Sequence, residues 1–184
     1  MQPDDILHFW FEGSGPQKWY NGGDAFDADI RTRFELFCTE AAALIKRTSH
    51  HDWEASPEAA LALIVALDQF PRNMYRDTKG AFAFDAWALM IARRAVDKGF
   101  DLKTSQDRRA FYYMPYMHSE DLAMQDECVR LVDMRLEDEN TLFHAKEHRK
   151  LIARFGRFPY RNTILERLNG ADETAYLDGK GYRP

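Results

Sequence analysis

The sequence predicts an all-α fold of stacked helical hairpins. Three observations predict it. Apolar residues recur every three to four positions through several long segments, the spacing of one buried helical face. No stretch shows sustained alternation closed by hairpin turns, the mark of a strand pair. A 44-residue rhythm also runs through the chain, with Phe70-Pro71, Met114-Pro115 and Phe158-Pro159 at equal spacing. Around the first and last of these, LIVALDQFPRN at Leu63–Asn73 aligns with LIARFGRFPYRN at Leu151–Asn162. A period of this length holding two helices belongs to tetratricopeptide-like and HEAT-like arrays. The expected architecture is therefore a tetratricopeptide-like α-α superhelix of eight or nine helices.

Taken in order, residues 5–11 form a short apolar segment, and Pro3 suits a first helical turn. Gly13, Gly15, Pro16, Gly22 and Gly23 predict a loop carrying Trp19 and Tyr20. Asp24 is placed to cap a long helix to about Arg47, with Phe26, Ile30, Phe34, Phe37, Cys38, Ala41 and Ile45 on its buried face. Ser56-Pro57-Glu58 starts the next helix with a capping oxygen, a first-turn proline and an acid at the positive end of the dipole. That helix is apolar almost all round, which predicts a central position, and Pro71 is expected to end it near Gln69. Further helices are expected at 81–98, 105–113, 119–137, 140–154 and 172–177, with a frayed tail at 179–184.

Length and composition bound the rest. The 184 residues predict one domain over 1–184, with 45% hydrophobic and 14% aromatic residues to fill a core. A net charge of −5 argues against a nucleic-acid partner, which calls for a basic face. No run of 18 apolar residues supports a membrane span, and the N-terminal acids do not suit a signal peptide, so the expected location is the cytoplasm. Cys38 and Cys128, each inside an apolar helical run, read as buried reduced thiols. Phosphate-loop, dinucleotide and nucleophile-elbow motifs are all missing, and no cofactor is expected. A homodimer is the base-rate oligomer, and the sequence leaves it open.

The residues able to carry chemistry gather at the ends of the proline motifs. Arg72 and Arg161 each follow a Phe-Pro step and stand beside Asn73 and Asn162. At equivalent positions of stacked hairpins, two guanidiniums can hold a carboxylate or phosphate bidentately. The structural alternative pairs each arginine with a nearby acid such as Asp68 or Glu120. His118 and Glu120, in MHSE, suit an acid–base pair, although Ser119-Glu120-Asp121 also suits a helix start. His144, Glu147 and His148 have the H-x-x-E-H spacing of an inverted zinc-protease motif, on a helix otherwise full of exposed charge. No metal site is inferred from it; His148 alone is the better site candidate. Asp85 and Trp87 suit a pocket wall or simply the core, and the aromatic set Trp10, Trp53, Trp87, Phe82 and Phe84 reads more as core than as a ligand cage.

The set formed by residues 5–11, LDQFPRNMYR at 67–76, residues 81–88, YMPYMHSE at 113–120 with Gln125, and HRKLIARFGRFPYRN at 148–162 closely resembles the DUF924 family of bacterial proteins. The resemblance covers nearly the whole chain. It implies an all-α, tetratricopeptide-like superhelix and implies no activity, since the family is named for lacking one. One departure is Glu166, where the family's final loop carries glycine.

The expected function is a binding module. Its polar pocket, lined by Asp68, Arg72, Asn73, Arg161 and Asn162, would take a small anionic ligand or the acidic end of a peptide. The alternative is a small-molecule enzyme in which His118 or His148 is the base, a carboxylate such as Glu120 orients it, and an arginine holds the anion. A third reading makes the same polar set a buried network that fixes helix packing.

Overall fold

The computed structural model describes residues 1–179 and 181–182, and of Tyr20 and Asn21 the backbone alone. Among the described residues there are nine helices and no strand. Helix α1 is Pro3–Leu7, continued by a wide π turn over His8–Ser14. Helix α2 is Pro16–Asn21, α3 is Gly23–Thr48, and α4 runs from Pro57–Ile64 through a π turn at Val65–Gln69 into Phe70–Met74. Then come α5 (Asp85–Asp97), α6 (Gln106–Met117), α7 (Leu122–Arg135), α8 (Glu139–Phe155) and α9 (Ala171–Asp178).

Helix α4 is the centre, as its all-round apolar sequence requires. Every residue from Ala60 to Pro71 is buried. Leu61, Leu63, Ile64 and Leu67 are each at most 2% exposed, and a side chain so buried contributes about 1.5–3 kcal/mol. Around it, α1, α3, α5 and α6 pack on α4, and the chain then adds α7 on α6 and α8 on α7. This sequential stacking is compatible with helical hairpins. Rings fill the N-terminal half of the core, where Phe34 stacks on Phe70 at 4.6 Å and Phe111 meets Trp19 edge-on at 4.9 Å.

Several boundaries differ from expectation, each for a local reason. Ser56 does cap α4, its Oγ accepting from Ala59 N at 3.3 Å. The helix does not stop at Gln69. The π turn lets Phe70 N reach back to Val65 O, and the widened backbone admits Pro71, which has no N–H to place. Helical bonding resumes with Tyr75 N donating to Pro71 O at 2.9 Å. Pro115 likewise sits inside the last turn of α6, which continues past Tyr113 to Met117. The expected loop at 13–23 contains α2, opened by Pro16. Asp121, rather than Ser119, caps α7 through Ala123 N at 2.8 Å, and no side-chain bond caps α3 at Asp24. Of the tail expected to fray, Lys180, Arg183 and Pro184 lie outside the described residues; Tyr182 meets His144 Nδ1 through its hydroxyl at 2.6 Å.

Candidate functional site

The three proline motifs, 44 residues apart in sequence, meet in space. Gln69 and Arg72 from α4, Met114, Met117 and His118 from the end of α6, and Tyr160 and Arg161 after α8 share the wall of one cavity of about 700 Å³. The π turn in α4 and the proline in α6 set the local geometry of two of those walls. The third is set by Gly156. Its φ of 69° closes α8 with the backbone turned left-handed, a conformation glycine adopts without strain. The turn Pro159–Arg161 then presents Arg161 inward.

Asp68 is the hub. It is fully buried beneath the cavity wall, and its Oδ1 lies 2.8 Å from His118 Nδ1 and 3.3 Å from Arg72 Nη1. Gln69 Nε2 donates to Oδ2 at 2.5 Å. Burial opposes its charge, but Arg72 and His118 outweigh burial and hold the pKa at about 2. An ionised carboxylate only accepts, so His118 must donate from Nδ1, which leaves Nε2 as the basic nitrogen. His118 is itself held below its ordinary pKa by burial and by the Arg72 charge, against the pull of Asp68.

Arg72 is paired. Its Nη1 and Nη2 donate to Asp85 Oδ1 and Oδ2 at 2.8 and 2.9 Å, and Nη1 also reaches Asp68 O at 2.6 Å. Arg161 is not. Only 6% exposed, it donates from Nη1 to His118 O at 3.1 Å and comes no nearer than 3.8 Å to Asp85. Its Nε is buried with no hydrogen bond of ordinary geometry among the described residues, and the Tyr160 hydroxyl beside it, likewise buried, interacts with the Arg161 guanidinium. The rings of Phe82 and Phe158 lie 4.6 and 4.5 Å from its guanidinium carbon. Burial pulls its pKa down.

Of the residues singled out from sequence, Arg72, Asn73, His118, His144, His148 and Arg161 line the cavity, with Asp68 just behind them. His148 is buried, donates to His144 O at 2.8 Å, and is pushed down to about 3 by burial. It is a neutral wall residue. Glu120 and Asn162 belong elsewhere. Glu120 accepts from Phe158 N at 2.9 Å and from both terminal nitrogens of Arg167 at 2.6 and 2.9 Å. Asn162 bonds Asn169, Glu173 and Arg167. Both hold the segment after α8 and neither faces the cavity. In H-x-x-E-H, Glu147 turns to Lys150 and His144 to Tyr182, so the three side chains take separate partners.

Sequence reasoning passed over Tyr160, Gln69 and Arg167. Tyr160 stood inside the FPYRN motif, read there only as an aromatic. Nothing in the sequence marks Arg167, whose partner lies 47 residues away.

The fold and this cavity define an all-helical protein with a buried ionic cluster behind a largely apolar chamber. The chain belongs to the DUF924 family, described as bacterial protein of unknown function, whose model matches residues 6–181. It is similar to a protein of unknown function from Agrobacterium tumefaciens, at 38% identity and a TM-score of 0.86 over 96% of this chain and 97% of that one. No curated protein matches the sequence.

Proposed function

We propose that the cavity binds a small organic anion, with Arg161 as its anchor. One observation carries the reading. A guanidinium almost wholly out of water lines the cavity with its one ordinary hydrogen bond among the described residues going to His118 O, and no carboxylate comes nearer than 3.8 Å. A structural arginine would be paired as Arg72 is. An anion in the cavity gives the guanidinium the close partner that Asp85, at 3.8 Å, does not. The chamber's size suits a small molecule, or the acidic end of a peptide that enters it.

The experiment is a thermal-shift screen of wild type and Arg161→Ala against anionic metabolites. A ligand at 100 times its Kd stabilises by about 2.7 kcal/mol, or roughly 5–10 °C at this size. A shift in wild type that disappears in the variant supports the reading. Wild-type curves that stay flat across the panel count against it.

The Asp68–His118 contact favours a second reading, in which the bound molecule is also turned over. An imidazole oriented by an ionised carboxylate, with Nε2 toward a cavity, is the arrangement of a general base. Asp68 then takes the orienting role that the sequence suggested for Glu120. Incubating wild type and His118→Gln with a ligand from the screen separates the readings. Chemical change with wild type alone supports catalysis, and an unchanged ligand leaves binding.

A further inference from the structure

Helix α2 forms a thin part of the cavity wall. Its Pro16, Gln17 and Lys18 are exposed, while Trp19 lines the cavity. On this side one short helix separates the chamber from solvent. Its main packing partner is the π turn that precedes it. It reaches the rest of the protein through the Trp19 ring, edge-on to Phe111 at 4.9 Å, and through Lys18 over Phe26 at 5.9 Å.

Both ends of α2 are free to turn. Gly15 enters it at a φ of 73° and Gly23 follows it at 74°, in the left-handed region that glycine adopts without strain. Beyond the chain neighbours, no atom lies within 4 Å of where a side chain would begin at either glycine. Small residues at element ends are common places for a hinge. Between these ends the firm hold is Trp19. Its Nε1 donates to Trp10 O at 2.8 Å, and its ring lies 5.9 and 5.8 Å from those of Trp10 and Phe11. The backbone bond beside it, Gly15 N to the same Trp10 O, is long at 3.4 Å.

We propose that α2 is a lid: it turns about Gly15 and Gly23, Trp19 latches it, and small molecules enter and leave the cavity past it. The inference concerns entry and holds whatever the cavity binds. Carbethoxylation by diethyl pyrocarbonate, mapped by peptide mass, tests it on the protein without ligand. The reagent reacts with neutral imidazoles, so His118 reads access to the cavity and exposed His50 reads the reagent itself. Trp19→Phe keeps an aromatic ring and removes the donor to Trp10 O. It should raise the His118-to-His50 ratio of rates by about fivefold, the loss of one neutral hydrogen bond. Trp19→Ala should raise the ratio further. Ile164→Ala, which trims the wall on another segment, should leave it unchanged. A ratio unmoved by both Trp19 variants overturns the lid, since the reagent then enters elsewhere. An equal rise in Ile164→Ala also overturns it, since trimming any wall side chain then suffices. In wild type, exchange of the Trp19 indole N–H followed by NMR should be insensitive to low urea, the mark of local opening. Exchange that instead tracks global unfolding overturns the lid as well.

Discussion

His118 Nδ1 lies 2.8 Å from Asp68 Oδ1 across 50 residues of sequence, and this contact ties the end of α6 to the π turn of α4. The Asp68 carboxylate is the largest influence holding His118's proton against burial and Arg72, with the Asp85 charge adding to it. Replacing it by the neutral isostere, Asp68→Asn, should lower the His118 pKa further below its ordinary value. The same change frees Nδ1 to lose its proton in favour of Nε2. Imidazole carbon and nitrogen shifts followed by NMR across pH 3–8 (roughly the span of ordinary histidine titration) check both. A raised His118 pKa in the variant would contradict this.

Stability should fall on mild acidification, before the carboxylates titrate. His118 and His148 both have folded pKa values below the unfolded value, His148 at about 3. Below about 6.5 the unfolded chain therefore binds more protons than the folded one. Stability is then complete above that value and is lost as pH falls toward 3, at up to about 1.4 kcal/mol per pH unit for each group. Asp68, at about 2, adds a second loss only below about pH 4. Urea midpoints at several pH values should show two steps, and His148→Gln should flatten the first.

Breaking the Arg72–Asp85 pair should cost stability. The two are 19% and 23% exposed and share two parallel bonds. Asp85→Ala leaves Arg72 with only Asp68 as a charged partner. Removing one member of a mostly buried pair costs about 3 kcal/mol. Equilibrium unfolding measures it, and a loss below about 0.5 kcal/mol, the range of ordinary surface substitutions, would show that the pair is solvent-like.

Glu120 should behave as a brace. Glu120→Gln weakens its bonds to Phe158 N and Arg167. A destabilisation of about 1.5–3 kcal/mol is expected, the scale of hydrogen bonds to a charged group. Affinity for any ligand of the cavity should be unchanged when measured by titration at a temperature where the variant is folded. A loss of affinity with no change in stability would return Glu120 to the site.

The helices were legible because their signals are local. Ser56-Pro57 and the 3.6-residue spacing in α3 act within a few residues of themselves. The repeated Phe-Pro motif also revealed Arg72 and Arg161 as companions, since equal spacing along a stack brings equivalent positions to one face. What escaped depends on distant partners. Pro71 and Pro115 look like helix ends by local rules, yet tertiary packing carries the backbone through both. Whether Glu120 faces a cavity or Arg167 is decided 47 residues away. Tyr160 became notable only once the fold set its buried hydroxyl beside Arg161.

The most direct test is Arg161→Leu, followed by equilibrium unfolding and by titration with an anion from the thermal-shift screen. Leucine keeps apolar bulk against Phe82 and Phe158 and removes the guanidinium. The expected result is a folded variant that no longer binds. A variant that loses several kcal/mol of stability (on the order of the 3–5 kcal/mol of a broken buried pair), with no anion binding in wild type, would make Arg161 a structural residue and contradict the ligand site.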